Sequence, residues 1–172
     1  QTWAPLAASG VLIAAAVPMV IFGPIAGVFA DRWKKRQTML YMDALRALLV
    51  ASLVLLPFLE RQIPLMGQLF IIYTIVFCVT LCSQFFQPAR FSLMSELVDE
   101  PQQTRASSLS QVTMNLAIII GPALAAPLLF TLGVYWALIL NALSFVASFF
   151  CILAVRTSKP VTEKDASPIE SP

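Results

Sequence analysis

The sequence contains no histidine. That removes the side chain most often used as a general base or metal ligand near neutral pH. Charge is also scarce: Asp, Glu, Lys and Arg make up 12% of the chain against 59% hydrophobic residues, with a mean hydropathy of +0.83. Soluble domains carry about 25% charged residues. A water-soluble fold of this composition would have too few charges to cover its outside, whereas lipid solvates apolar faces directly. Cysteine is limited to Cys78, Cys82 and Cys151, all within apolar runs. An odd number in such places argues against a disulfide framework. Free cysteine packs as a small hydrophobe, and the i, i+4 spacing of Cys78 and Cys82 reads as packing on one helix face. No basic segment precedes the first apolar run, so no signal peptide is read. Without histidine, paired mid-span carboxylates or metal-ligand spacing, an enzyme is not expected. Nor is a cofactor, a metal or a nucleic-acid partner.

What is present is a succession of long apolar runs. Five transmembrane helices are expected, over residues 6–30, 39–59, 65–86, 112–132 and 135–155. The fold class is therefore an all-α membrane protein, with the lipid bilayer as its surroundings. A run of 25 residues such as the first exceeds what a hydrocarbon core of about 30 Å requires, so it should tilt or kink. Pro18, Gly23, Pro24 and Gly27 lie within it. The Gly23-x-x-x-Gly27 spacing reads as a close-packing motif for a neighbouring helix. Gln87-Pro88-Ala89-Arg90 reads as the end of the third span, and residues 90–111 as the longest polar connection. Part of it carries apolar residues at near-helical spacing, from Phe91 to Val98, and is expected along the membrane interface. Asp99 followed by Pro101 reads as a helix start. Residues 157–172 read as a disordered cytoplasmic tail or linker.

The first apolar run ends abruptly. Leu6 to Ala30 carry no charge, and the next six residues, Asp31-Arg32-Trp33-Lys34-Lys35-Arg36, hold one acid and four bases. Lys and Arg gather on the cytoplasmic side of a membrane. With five spans, ten of the eleven Lys and Arg fall on one side, counting Arg46 at its margin, and only Arg61 on the other. The chain start is thus expected outside and the tail in the cytoplasm, in a multi-pass protein of the plasma or inner membrane.

Within the spans, polar residues are few. Asp43 and Arg46 stand three apart, on one helix face. A lone charge at mid-membrane costs about 2.5–3.5 kcal/mol. The pair reads first as an intramembrane ion pair fixing its helix against neighbours, and second as a gate or proton-linked pair. Gln84, Asn115 and Asn141 could line a cavity or form interhelical hydrogen bonds. Gly121-Pro122 in the fourth span echoes the first: Ile21-Phe22-Gly23-Pro24 is similar to Ile119-Ile120-Gly121-Pro122, in spans of opposite direction. Inverted repeats of this kind recur in secondary transporters.

Gly27-x-x-Ala30-Asp31-Arg32-x-x-Lys35-Arg36 resembles the cytoplasmic loop motif between helices 2 and 3 of the major facilitator superfamily. Phe29 and Lys34 depart from that pattern. Phe86-Gln87-Pro88-Ala89-Arg90, with Glu96-Leu97-Val98 and Ala106-Ser107-Ser108-Leu109, is similar to the helix 4–5 region of its drug and siderophore exporter branch, which includes macrolide-efflux-like proteins. Gly121-Pro122 is similar to a reduced helix 5 antiporter motif. The resemblance implies that residues 1 to about 156 correspond to helices 2–6 of the N-terminal six-helix domain. Helix 1 and the second half of the transporter would lie outside the sequence.

It further implies a conformational latch. Asp31 would face a helix N-terminus in the other half, and Arg32, Lys35 and Arg36 would pair with acids such as Glu96 or Asp99. Breaking these contacts would open the inward gate. The function implied is secondary active, proton-coupled efflux of small amphipathic molecules by alternating access, which this stretch alone would not complete. The alternative is a non-transporting multi-span scaffold. The topology is checked by reporter fusions. Activity in opposite compartments is expected at the Glu60–Pro64 turn and in the tail, and activity on the same side contradicts five spans.

Overall fold

The computed structural model describes residues 3–30, 33–56 and 63–155. Within them the chain is helical: α1 (Trp3–Ala30), α2 (Lys35–Val54), α3 (Leu65–Leu97) and α4 (Glu100–Ala154). All four are long and apolar enough to cross a membrane. The expected second span reaches residue 59, but its last residues, 57–59, lie outside the described residues, as do Glu60, the tail expectation and the motif residues Asp31 and Arg32.

Local chemistry explains where the helices begin. Lys34 is extended (φ −66°, ψ 94°), and its carbonyl accepts the backbone N–H of Thr38 at 3.0 Å, opening α2. Pro64, fixed at φ −63°, precedes α3 and takes the N–H groups of Gly67 and Gln68 on its carbonyl. Asp99 and Pro101 open α4, as the sequence predicts; proline suits a first turn because its missing N–H would have no intrahelical acceptor there.

The polar connection expected over 90–111 is instead helical on both sides of a two-residue break at Val98-Asp99. Ala89 and Leu93, four apart, continue the packed face of α3 beyond the apolar run and are buried in one cluster with Met39 and Ile152. Gln103 of α4 donates to the carbonyls of Ser95 and Val98, satisfying acceptors that the end of α3 leaves open. At about 50 Å, α3 is therefore longer than the hydrocarbon core needs.

α4 would be about 80 Å long if straight. It is interrupted at Gly133, whose φ of 81° and ψ of 170° are not helical. Only glycine adopts that conformation at little cost. The interruption falls between the two runs read as separate spans.

Contacts fix the directions. Tyr73 donates to the carbonyl of Ala7 and Gln84 lies by Gly23, so α1 and α3 run parallel. Lys35 meets Glu96 and Arg46 meets Phe86, so α2 and α3 are antiparallel. Arg36 reaches Ile152 and Ser148 reaches Asp43, so the second half of α4 is antiparallel to α2. The first half of α4 stands largely free beyond its opening turns. Large apolar side chains face outward throughout, Leu12 at 71% and Phe130 at 91% exposure among them. That is the expected surface of a bundle whose solvent is lipid or further helices.

Gly10 marks a close approach between α1 and α3. A Cβ there would sit 2.7 Å from the Tyr73 ring. We expect Gly10→Val to destabilise the α1–α3 pair by about 1–3 kcal/mol, read as a lower unfolding temperature of the membrane-embedded chain. Tyr73→Ala should remove most of that penalty.

Candidate functional site

Two groups of charges on α2 draw the other helices together. The first is the opening turn of α2. Lys35 forms an ion pair with Glu96 of α3 at 2.5 Å, the Glu96 side chain being 55% exposed. An exposed pair of this kind is worth at most about 1 kcal/mol. Arg36 points the other way: its Nε donates to the carbonyl of Ile152 at 3.2 Å and its Nη2 to that of Leu153. These are among the last carbonyls of α4, so the guanidinium caps that helix and complements its negative end. Trp33, just before α2, stacks on Phe85 of α3 with centroids 5.9 Å apart.

Of the residues that the sequence assigns to this motif, Lys35 and Arg36 therefore contact α3 and α4. Asp99 makes no ion pair with a described basic residue. Gly27 has open space where a Cβ would stand, so close packing does not explain it within the described residues.

The second group lies two turns further along α2. Asp43 and Arg46 are buried, at 1% and 5% exposure. Arg46 Nη1 donates to Asp43 Oδ1 at 3.2 Å. Asp43 Oδ2 accepts from the Ser148 hydroxyl of α4. The guanidinium carbon sits 4.6 Å from the ring centre of Phe86 on α3 and 5.7 Å from that of Phe145 on α4. Arg46 Nε and Nη2 have no hydrogen-bond acceptor among the described residues, so the two aromatic faces carry much of the contact. Cation–π contacts reach about 2 kcal/mol when desolvated. The expected ion pair is thus the core of a three-helix junction. Ser148 and Phe145 had no sequence signal, because their partners lie a hundred residues away.

The remaining polar and small residues are dispersed. Gln84 approaches Gly23 of α1, whose Cβ would stand 3.6 Å from Gln84 Oε1. Asn115 accepts from Gln111 on the same helix, and the Asn141 carbonyl accepts from Ser144. No hydrogen bond joins Gln84, Asn115 and Asn141 into one site. Gly121 has open space around it, and Pro122 lies inside α4. Cys78, Cys82 and Cys151 are free thiols. Among the described residues, no group of three or more acids and cysteines could hold a metal ion. The two charge groups thus hold α2 against α3 and the end of α4.

Residues 2–171 match the family model described as transmembrane secretion effector. The chain is 30% identical over 144 residues to the uncharacterized MFS-type transporter YfiS of Bacillus subtilis, covering 84% of this chain and 32% of that protein. It is 28% identical over 144 residues to macrolide efflux protein A of Enterococcus faecalis, covering 83% of this chain and 43% of the relative. Against macrolide efflux protein A of Streptococcus pyogenes it is 27% identical over 144 residues, 83% of this chain and 34% of the relative. The chain thus spans about a third of the length of most of these relatives. No solved structure matches it.

Removing one partner from a buried ion pair leaves an uncompensated charge and costs about 3–5 kcal/mol, whereas replacing both by apolar residues is often close to neutral. We therefore expect Asp43→Leu alone to lower strongly the amount of folded protein in the membrane. The Asp43→Leu, Arg46→Met double variant should recover most of it, read by detergent-extracted yield and unfolding temperature.

Proposed function

The chain belongs to the transmembrane secretion effector family of major facilitator transporters, and from that premise we propose that it forms part of a secondary active exporter. The reading is that residues 1–156 supply helices 2–6 of the first six-helix domain, with the start of the chain outside and the tail in the cytoplasm. α4 supplies two spans that meet at Gly133. The protein moves small amphipathic molecules outward by alternating access, driven by a proton gradient. A second half, beyond this sequence, closes the substrate cavity.

The observation that carries the mechanism is the opening turn of α2, which touches both neighbouring helix ends within two residues. Lys35–Glu96 is exposed and weak, so it can open and close within a transport cycle. Asp43–Arg46–Ser148 is buried, so it stays closed and keeps α2, α3 and the second half of α4 together as one body. Asp31 lies outside the described residues; the resemblance gives it the role of meeting a helix N-terminus in the other half when the inward gate is closed. In this reading, breaking the contacts that the resemblance assigns to Asp31, Arg32, Lys35 and Arg36 opens that gate. The names of the macrolide efflux relatives support export as the direction, and the apolar outward faces support residence in lipid.

The test is export of erythromycin by the complete transporter that contains this chain, in cells lacking other efflux systems. A coupling of about 1 kcal/mol corresponds to roughly fivefold, so Lys35→Glu is expected to lower export about fivefold, and the exchange Lys35→Glu, Glu96→Lys to restore it. A protonophore should abolish export. Unchanged export in Lys35→Glu would remove the latch, and export that survives the protonophore would remove proton coupling.

A further inference from the structure

Trp33 lies in the connection between α1 and α2, directly before the rim contacts begin. α1 and α2 each pack on α3. Gln84 of α3 approaches Gly23 of α1, and Phe86 lies against Arg46 of α2. Successive helix residues point about 100° apart, so Phe85 between them turns to the seam between α1 and α2. Trp33 meets it there, its ring stacked on Phe85 with centroids 5.9 Å and planes 20° apart.

Local sequence does little to fix where α2 starts. Lys34, at its N-cap, makes no side-chain capping hydrogen bond, and no acid stands in the first turn. Lys35 and Arg36 occupy that turn instead, at the positive end of their own helix, where a cation is unfavourable. Lys34 departs from the family pattern, yet its φ of −66° needs no glycine. The start of α2 is therefore held from outside the helix: by Trp33 on Phe85, by Lys35 on Glu96 and by Arg36 on the last carbonyls of α4.

We propose that Trp33 is the positioning residue of the rim latch: its stack on Phe85 sets where α2 begins and so brings Lys35 to Glu96. The ion pair is exposed and screened by water and salt. The stack is held by apolar area and ring geometry, which salt does not weaken. It persists when Lys35 lets go of Glu96, and the turn closes again in the same place. What this means for gating rests on the latch reading above; the positioning itself does not.

The test is cross-linking, which needs no transport. It uses the complete transporter that contains this chain, in membranes, with its cysteines replaced by serine and with Lys35→Cys and Glu96→Cys introduced. A groove of about 270 Å³ bordered by Lys35, Leu93 and Glu96 gives a short bifunctional maleimide room to enter. Trp33→Ala is expected to slow the cross-link about fivefold, the order that one aromatic pair supports. Phe85→Ala should do the same, and Trp33→Phe, which still stacks, should keep most of the rate. A second pair, Met39→Cys with Ile152→Cys in the buried cluster, should oxidise at an unchanged rate in all three variants. An unchanged Lys35–Glu96 rate in Trp33→Ala overturns the proposal. So does an equal fall at both pairs, which would make Trp33 a general support of the fold, and so does a Trp33→Phe rate as low as that of Trp33→Ala. Normal erythromycin export by Lys35→Glu would remove the latch and leave these rates as they are, so the two readings fail separately.

Discussion

A charge inside an apolar bundle is tolerated only where the fold meets it, and Asp43–Arg46 is where this fold does so. Both groups are nearly inaccessible, and each reaches beyond its own helix. The carboxylate takes the Ser148 hydroxyl; the guanidinium lies against Phe86 and Phe145. Three helices must be in register for the pair to be accommodated. The apolar contacts around it, Met39 with Ala89, Leu93 and Ile152, lie toward the opening turn of α2. Without a hydrophobic drive between helices in lipid, packing and polar contacts of this kind decide which helices stay adjacent.

The two charge groups of α2 differ in what burial does to them. At the helix start, water screens Lys35–Glu96, and the pair is weak enough to be exchanged for other partners. Further along, leaving either Asp43 or Arg46 alone would strand a charge in an apolar core. A transporter needs both kinds of contact. Some helices must keep their neighbours through the cycle, and some contacts at the rim must change. Arg36 stands between the two: it is charged like Lys35, but it caps the carbonyls at the end of α4 and so reinforces the permanent set.

The apolar runs, the abrupt change at Ala30 and the Asp43–Arg46 spacing could all be read along the chain because each is a local pattern. So could the helix start at Asp99-Glu100-Pro101. The continuation of α3 to Leu97 was less visible, since Pro88 and Arg90 look like the end of a span. The buried face that carries the helix onward, Ala89 and Leu93, becomes evident only when α2 lies against it. Ser148, Phe145 and the capping role of Arg36 depend on contacts between residues far apart in the chain, for which neither periodicity nor composition gives a signal.

The central claim is that α2 and the second half of α4 remain joined while the rim opens and closes. Cysteine cross-linking tests it most directly. In the complete transporter that contains this chain, with its cysteines, Cys78, Cys82 and Cys151 among them, replaced by serine, Met39→Cys and Ile152→Cys place a thiol on each helix within the same buried cluster. The account predicts that oxidation joins them readily in membranes and that export continues with the bond in place. Failure to form the bond, or loss of export that returns on reduction, would contradict it.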